Sequence, residues 1–189
     1  MYVVSLIRPV WHRPRRAGPS SRPVDGVRCD TGGMATWQDF EQQAPDLAPA
    51  VRARFEAARH HVLATLRPDG APRVSGTEVR FIGADLTLGS MYGAVKARDL
   101  RRDRRFALHS NPADATMADG DAKLAGRALE ITDEVELTAY ESELPTAPPG
   151  PFHAFRLELD QAVLTTVEEG VLVIRSWRPG EPVTTVRRD

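Results

Sequence analysis

Lys96 stands about one turn into a basic run that follows Gly93, and just ahead of both lies Gly89-Ser90-Met91-Tyr92, where a strand-like alternation breaks off. A helix that starts directly after a glycine turn presents unpaired backbone N–H groups and the positive end of its dipole. An ammonium one turn in can point at the same spot. That combination suits an anionic ligand, most often a phosphate. The alternative reading of the stretch is a solvated basic helix between two strands. A second polar feature precedes it. Arg73, Ser75 and Thr77 share one face of an extended run, before Val79 and Phe81 turn that face apolar. Polar residues there can line a ligand groove, and Gly76 lets a ligand approach the backbone closely. Its alternative is an edge strand facing water.

The elements that must hold these residues follow from periodicity. Asp85 to Ser110 reads as strand, glycine-flanked turn, short helix and strand. Leu86 and Leu88 alternate with Thr87 and Gly89, Ala94, Ala97 and Leu100 recur one turn apart, and Phe106 and Leu108 resume the alternation. Upstream, Leu47, Val51, Phe55, Ala58 and Val62 form one stripe, which predicts a helix over 37–62 that His60-His61 ends. Pro45 and Pro49 fit its start. Residues 62–66 and 71–82 are predicted strands, and Arg67-Pro68-Asp69-Gly70 between them is a tight hairpin turn. Downstream, 122–131 is a strand, with small residues Gly126 and Ala128 on one face for close packing. A helix over 133–144 is capped by Thr132. Pro145 to Pro151 is a stiff connector. Residues 155–159 alternate cleanly, and 162–167 with 171–177 make a last hairpin around Glu168-Glu169-Gly170. The pattern predicts a mainly β (α+β) fold of six or seven strands with interspersed helices, its short turns pointing to an antiparallel sheet closed into a barrel.

The chain has 189 residues, with 25 basic and 26 acidic side chains for a net charge of -1, and 41% hydrophobic residues. That supports a core and argues against a general nucleic-acid binder. The arginines 98, 101, 102, 104 and 105 could form a nucleic-acid face, but Asp99 and Asp103 interrupt them and favour a salt-bridged surface. A lone Cys29 excludes internal disulfides and suits a cytoplasmic setting. No apolar run approaches membrane-spanning length, so no membrane partner is expected. Segment 1–33 carries six arginines and four prolines without a sustained period, and is expected to be a disordered tail. Met34 follows Gly32-Gly33 and is a candidate native start; 34–182 is the folded domain and 183–189 a polar tail. Adjacent histidines at 60 and 61 cannot both face one metal from a helix, so no metal is expected. No nucleophile elbow, dinucleotide fingerprint, P-loop or zinc-protease motif occurs. Chemistry here would come from a bound cofactor.

Four passages, in this order and spacing, resemble the pyridoxamine 5'-phosphate oxidase-like flavin-binding split-barrel family. They are Leu63-Ala64-Thr65-Leu66-Arg67-Pro68-Asp69-Gly70, Pro72-Arg73-Val74-Ser75-Gly76-Thr77, Gly89-Ser90-Met91 with Lys96 to Asp103, and Ser176-Trp177-Arg178-Pro179-Gly180. The resemblance implies a six-stranded antiparallel split β-barrel with flanking helices. It also implies a homodimer that holds FMN, or alternatively coenzyme F420, in a groove at the subunit interface. It assigns Arg73 and Lys96 to phosphate charge, Val74 and Ser75 to backbone contacts along the ring, and Ser90 to a hydroxyl hydrogen bond. Gly93 opens the phosphate-holding helix start, and Trp177 and Arg178 close the site from the partner subunit, with a plain core residue as the alternative reading of Trp177. The oxidase members carry Ser-Arg-Lys where this chain has Ala94-Val95-Lys96, so two phosphate-contacting side chains are absent. The implied activity is hydride transfer between the flavin or deazaflavin and a small organic substrate. The alternative is a protein that binds such a cofactor without turnover. Neither a general acid nor a general base is assigned.

Overall fold

The computed structural model describes residues 33–112, 117 and 119–188. Apart from Gly33, the expected disordered tail lies outside the described residues. Two short helices open the described chain. In α1, Trp37–Gln43, Thr36 caps the first turn and Asp39 returns the bond, a reciprocal box that satisfies two end donors. Pro45 then falls in a break, and α2, Ala48–Glu56, restarts with Pro49 in its first turn. The single helix expected over 37–62 is thus two helices, and it does not reach Val62. His61 and Val62 already belong to β1, His61–Leu66. Proline lacks the amide that a continuous helix needs there.

The strands that follow are β2, Pro72–Thr77, β3, Val79–Ile82, and β4, Asp85–Met91. Helix α3, Val95–Arg102, leads to β5, Arg105–His109, and β6, Asp121–Ile131. Helix α4, Glu134–Ser142, precedes β7, Phe152–Glu168, then β8, Val171–Trp177, and β9, Thr184–Arg188. Asp133 rather than Thr132 caps α4, accepting from the amides of Val135 and Glu136. The stretch expected to be a polar tail pairs with β8 as an exposed edge strand.

The pairing order is β2-β1-β5-β6-β7-β4-β3, all antiparallel where paired. Only Glu78 separates β2 from β3. Taken as one bent strand, β2 and β3 close the path into a ring of six, the split barrel that the resemblance implies. β7 is long enough to serve two partners on one edge. Residues 152–157 pair with β4 and residues 162–168 pair with β8. Between them Ala35 bridges Leu159.

The sequence pattern divides β7 in two because a bulge lies within it. Ala125 pairs with Gln161 and Gly126 with Leu159, leaving Asp160 as the extra residue. Burial accordingly switches from Phe155, Leu157 and Leu159 to Ala162 and Leu164. Gly126 is required at that point, since a Cβ would collide with the Glu158 carbonyl oxygen. The core fills the ring with leucines and is closed by aromatic contacts. Trp37 meets Phe81 at 4.7 Å and Phe40 meets Trp177 at 4.6 Å.

Candidate functional site

Strand β4 ends where the candidate residues converge. Gly93 adopts φ +69°, a left-handed conformation that costs a side-chain-bearing residue energy, and the turn delivers the chain into α3. Ala94 is the N-cap residue and supplies no side-chain acceptor, so the first amides of α3 have no side-chain cap. Lys96, in the first turn, reaches across to β2, and its Nζ donates to the Gly76 carbonyl at 2.8 Å. Burial pushes the Lys96 ammonium below its ordinary pKa, with Glu78 opposing that shift.

A cleft of about 560 Å³ opens at this corner, within the range of small-molecule sites. One end is polar, formed by Gly76, Thr77, Ser90, Ala94 and Lys96. The other end is apolar, formed by Tyr140, Leu144, Phe152 and the strap Pro148-Pro149-Gly150-Pro151. Ser90 is only 7% exposed, and its buried Oγ has no hydrogen-bond partner among the described residues. A buried hydroxyl without a partner carries an uncompensated desolvation cost. Glu78 at the rim accepts from Arg59 Nε at 3.0 Å and lies 3.5 Å from His60 Nε2. Burial pushes the Tyr140 phenol above its ordinary pKa, against the nearby Arg80 charge.

The expected site residues are thereby sorted. Ser90 and Lys96 come together at the polar end, and Gly93 lies in the turn between them without lining the cleft. Arg73, Val74 and Ser75 do not line the cleft. Arg73 turns the other way, onto Asp99 of α3 at 2.6 Å. Val74 faces outward and is 70% exposed. Trp177 is 1% exposed and packs on Phe40, so its indole is a core residue and is not available to close a groove. That corrects its assignment to the site: it ends β8 beneath α1, where apolar burial claims it. Arg178 follows it, exposed.

Sequence reasoning missed His153. Its Nε2 accepts from the Gly93 amide at 3.2 Å, and its Nδ1 lies 2.7 Å from Glu130 Oε1. A lone histidine between Phe152 and Ala154 gave no local signal of this. Three of the five arginines of α3 and its flank are paired: Arg101 with Glu130, Arg102 with Asp99, and Arg105 with Asp103. Among the described residues no helix is long and apolar enough to cross a membrane.

The described strands form a closed antiparallel barrel with a cleft at the end of β4. The chain belongs to the pyridoxamine 5'-phosphate oxidase family, whose family model matches residues 47–169. No curated protein matches it. Among solved structures it is similar to a pyridoxamine 5'-phosphate oxidase-related, FMN-binding protein from Nostoc punctiforme. The identity is 15% and the TM-score 0.57, covering 77% of this chain and 96% of that one. PhzG from Burkholderia lata, solved with tetrahydrophenazine-1-carboxylic acid, is 15% identical with a TM-score of 0.54 over 90% and 100% of the two chains. A pyridoxamine 5'-phosphate oxidase-like protein from Listeria innocua is 17% identical with a TM-score of 0.51 over 63% and 98%. At these identities the likeness is one of fold.

Proposed function

We propose that the protein is an oxidoreductase that holds FMN, or alternatively coenzyme F420, in the cleft beside Ser90 and Lys96 and transfers a hydride with a small organic substrate. The observation that carries this reading is the buried Ser90 hydroxyl without a partner, beside a lysine and an uncapped helix start. These groups fit a phosphate: the hydroxyl donates, the ammonium neutralises, and the α3 amides complete the cradle. Arg73, engaged by Asp99, is not needed for that cradle. The bound ring would supply the redox chemistry, and the chain would orient it and exclude water. The strap Pro148–Pro151 with Tyr140 and Phe152 forms an apolar wall suited to a planar ring.

The family and the FMN-binding neighbour support a flavin-type cofactor. A homodimer is part of the proposal. Met91 is 81% and Tyr92 72% exposed beside the cleft, an apolar pair that a second copy would cover. Arg178 would meet the cofactor only from that second copy.

A second reading, cofactor binding without turnover, is favoured by the engagement of the charged groups. Lys96 is bonded to Gly76 and Glu78 is paired with Arg59. The test begins with the visible spectrum of the purified protein and a mass spectrum of the released chromophore. Reduced FMN and reduced F420 are then offered with candidate acceptors. Turnover supports the oxidoreductase, and a tightly bound chromophore that never turns over supports the second reading. Binding of neither cofactor would overturn both.

A further inference from the structure

We propose that His153 is a positioning residue that, while neutral, holds the Gly93 turn and thereby sets the anion cradle, so that protonating it loosens the cradle. The proposal rests on the reading of the Ser90–Lys96 corner as a phosphate site and assigns that site a control that lies 60 residues away in sequence.

Strand register puts the parts side by side. His153 of β7 pairs directly with Ser90 of β4, the residue that carries the unpartnered hydroxyl. From there the ring reaches over the turn, and Nε2 accepts the Gly93 N–H at 3.2 Å. An imidazole nitrogen can accept only when it carries no proton. The proton must then sit on Nδ1, which donates to Glu130 Oε1 at 2.7 Å. Glu130 is itself held by Arg101 of α3 through Nε at 2.9 Å. The chain of bonds therefore starts and ends on the same segment: Arg101 on α3, Glu130 on β6, His153 on β7, and Gly93 at the entrance to α3.

The ring is confined. It is 8% exposed, and Tyr92 stacks on it with centroids 5.3 Å apart and an interplanar angle of 8°. Phe155 lies on its other flank at 6.3 Å. The titratable and charged groups around it are Glu130 from β6, Arg101 from α3, Tyr92 from the turn and, along the same outer cleft, Glu141 from α4. A second proton on the ring would occupy Nε2. The Gly93 amide would then face a donor, and the bond that fixes the turn would be replaced by a repulsion.

The inference is tested on the full chain with FMN as the probe and two independent readouts. The first is the Gly93 amide by nitrogen–proton NMR, in apo protein, from pH 8.5 down to 5.5. Its shift and exchange protection are expected to titrate together with the His153 ring. In His153→Gln, whose side-chain oxygen can still accept, protection persists without a titration. The second readout is FMN affinity by quenching of flavin fluorescence over the same range. As pH falls, wild type is expected to lose affinity more steeply than His153→Gln, by up to about tenfold per pH unit, the most that one coupled proton can produce. His153→Gln should keep only the dependence contributed by the FMN phosphate itself, whose second pKa is about 6. A merely structural histidine would leave these profiles parallel. Gly93 protection that does not change with His153 protonation, or that survives in folded His153→Ala, overturns the proposal. If FMN fails to bind wild type at every pH, the flavin reading falls, while the amide titration still decides the role of His153.

Discussion

The Nε of Arg73 donates to Oδ2 of Asp99 at 2.6 Å, tying the strand face read as a ligand groove to the helix read as its anion-binding neighbour. Asp99 is 2% exposed as a side chain and also accepts from Thr65 Oγ1 at 3.0 Å and from Arg102 at 3.2 Å. Arg102 in turn donates to the Leu66 carbonyl. One carboxylate thus joins β1, β2 and α3. The arginine that looks like a phosphate ligand is an internal strut, while Thr77 on the same strand face lines the cleft.

Asp99→Ala leaves Arg73 facing an empty, partly buried position. It should destabilise the protein by about 3 kcal/mol, the scale of breaking one side of a buried pair. Urea unfolding at pH 7 measures this. Burial alone would raise the Asp99 pKa, but its hydrogen bonds from Arg73, Thr65 and Arg102 outweigh burial and hold the carboxyl below its ordinary value. Its contribution is therefore complete above the unfolded value of about 3.9 and is lost as pH falls through the lower folded value. The acid limb of the stability curve should be shallower in Asp99→Ala than in wild type.

Lys96→Ala should weaken FMN binding by about 1–3 kcal/mol, the scale of a charge-assisted hydrogen bond. Fluorescence titration reads this directly. Since burial lowers the Lys96 pKa, wild-type affinity should begin to fall at a lower alkaline pH than an ordinary lysine would allow. That alkaline limb should vanish in the variant. Equal affinity in both proteins would place the anion elsewhere.

Ser90→Ala removes a hydroxyl that is bonded to nothing among the described residues. Apo stability should stay within about 0.5 kcal/mol of wild type or rise, because no protein bond is lost. FMN affinity should fall by about 1 kcal/mol. A matched loss of stability in the apo protein would mean that Ser90 serves the fold instead.

Trp177→Ala should cost about 3–5 kcal/mol through the cavity left against Phe40. Thermal unfolding measures the loss. Arg178→Ala should leave stability unchanged, because its side chain lies at the surface. Should only Arg178→Ala reduce FMN affinity, and only at protein concentrations that support a dimer, contact from a second copy is the reading it supports.

Folding places a third titration beside those of Asp99 and Lys96. Burial pushes the His61 pKa down, and its Nδ1 accepts from the Asn111 amide at 3.2 Å. A histidine held neutral contributes stability that is present above its unfolded value of about 6.5 and is lost as pH falls toward the lower folded value. His61→Phe should flatten global stability as pH falls below about 6.5 in thermal melts, without touching the Gly93 amide.

What the amino-acid sequence determined by itself was whatever depends on neighbours along the chain. The Pro68-Asp69-Gly70 turn, the alternation of β4 and β5, the glycine break before α3 and the position of Lys96 on it all follow from local sterics and period. So does the closed antiparallel barrel, because short turns between half-buried strands leave few other ways to cover an edge. The Pro45 break was open to reading from proline chemistry, and the Asp160 bulge was hidden because it inverts the alternation that identifies a strand. Tertiary structure alone decided the partners. Arg73 meets Asp99 across 26 residues and His153 meets Gly93 across 60, and strand pairing sets both distances. No local pattern encodes which polar group a side chain will find once folded. That is why Arg73 and Trp177 face away from the cleft while His153 meets the Gly93 turn.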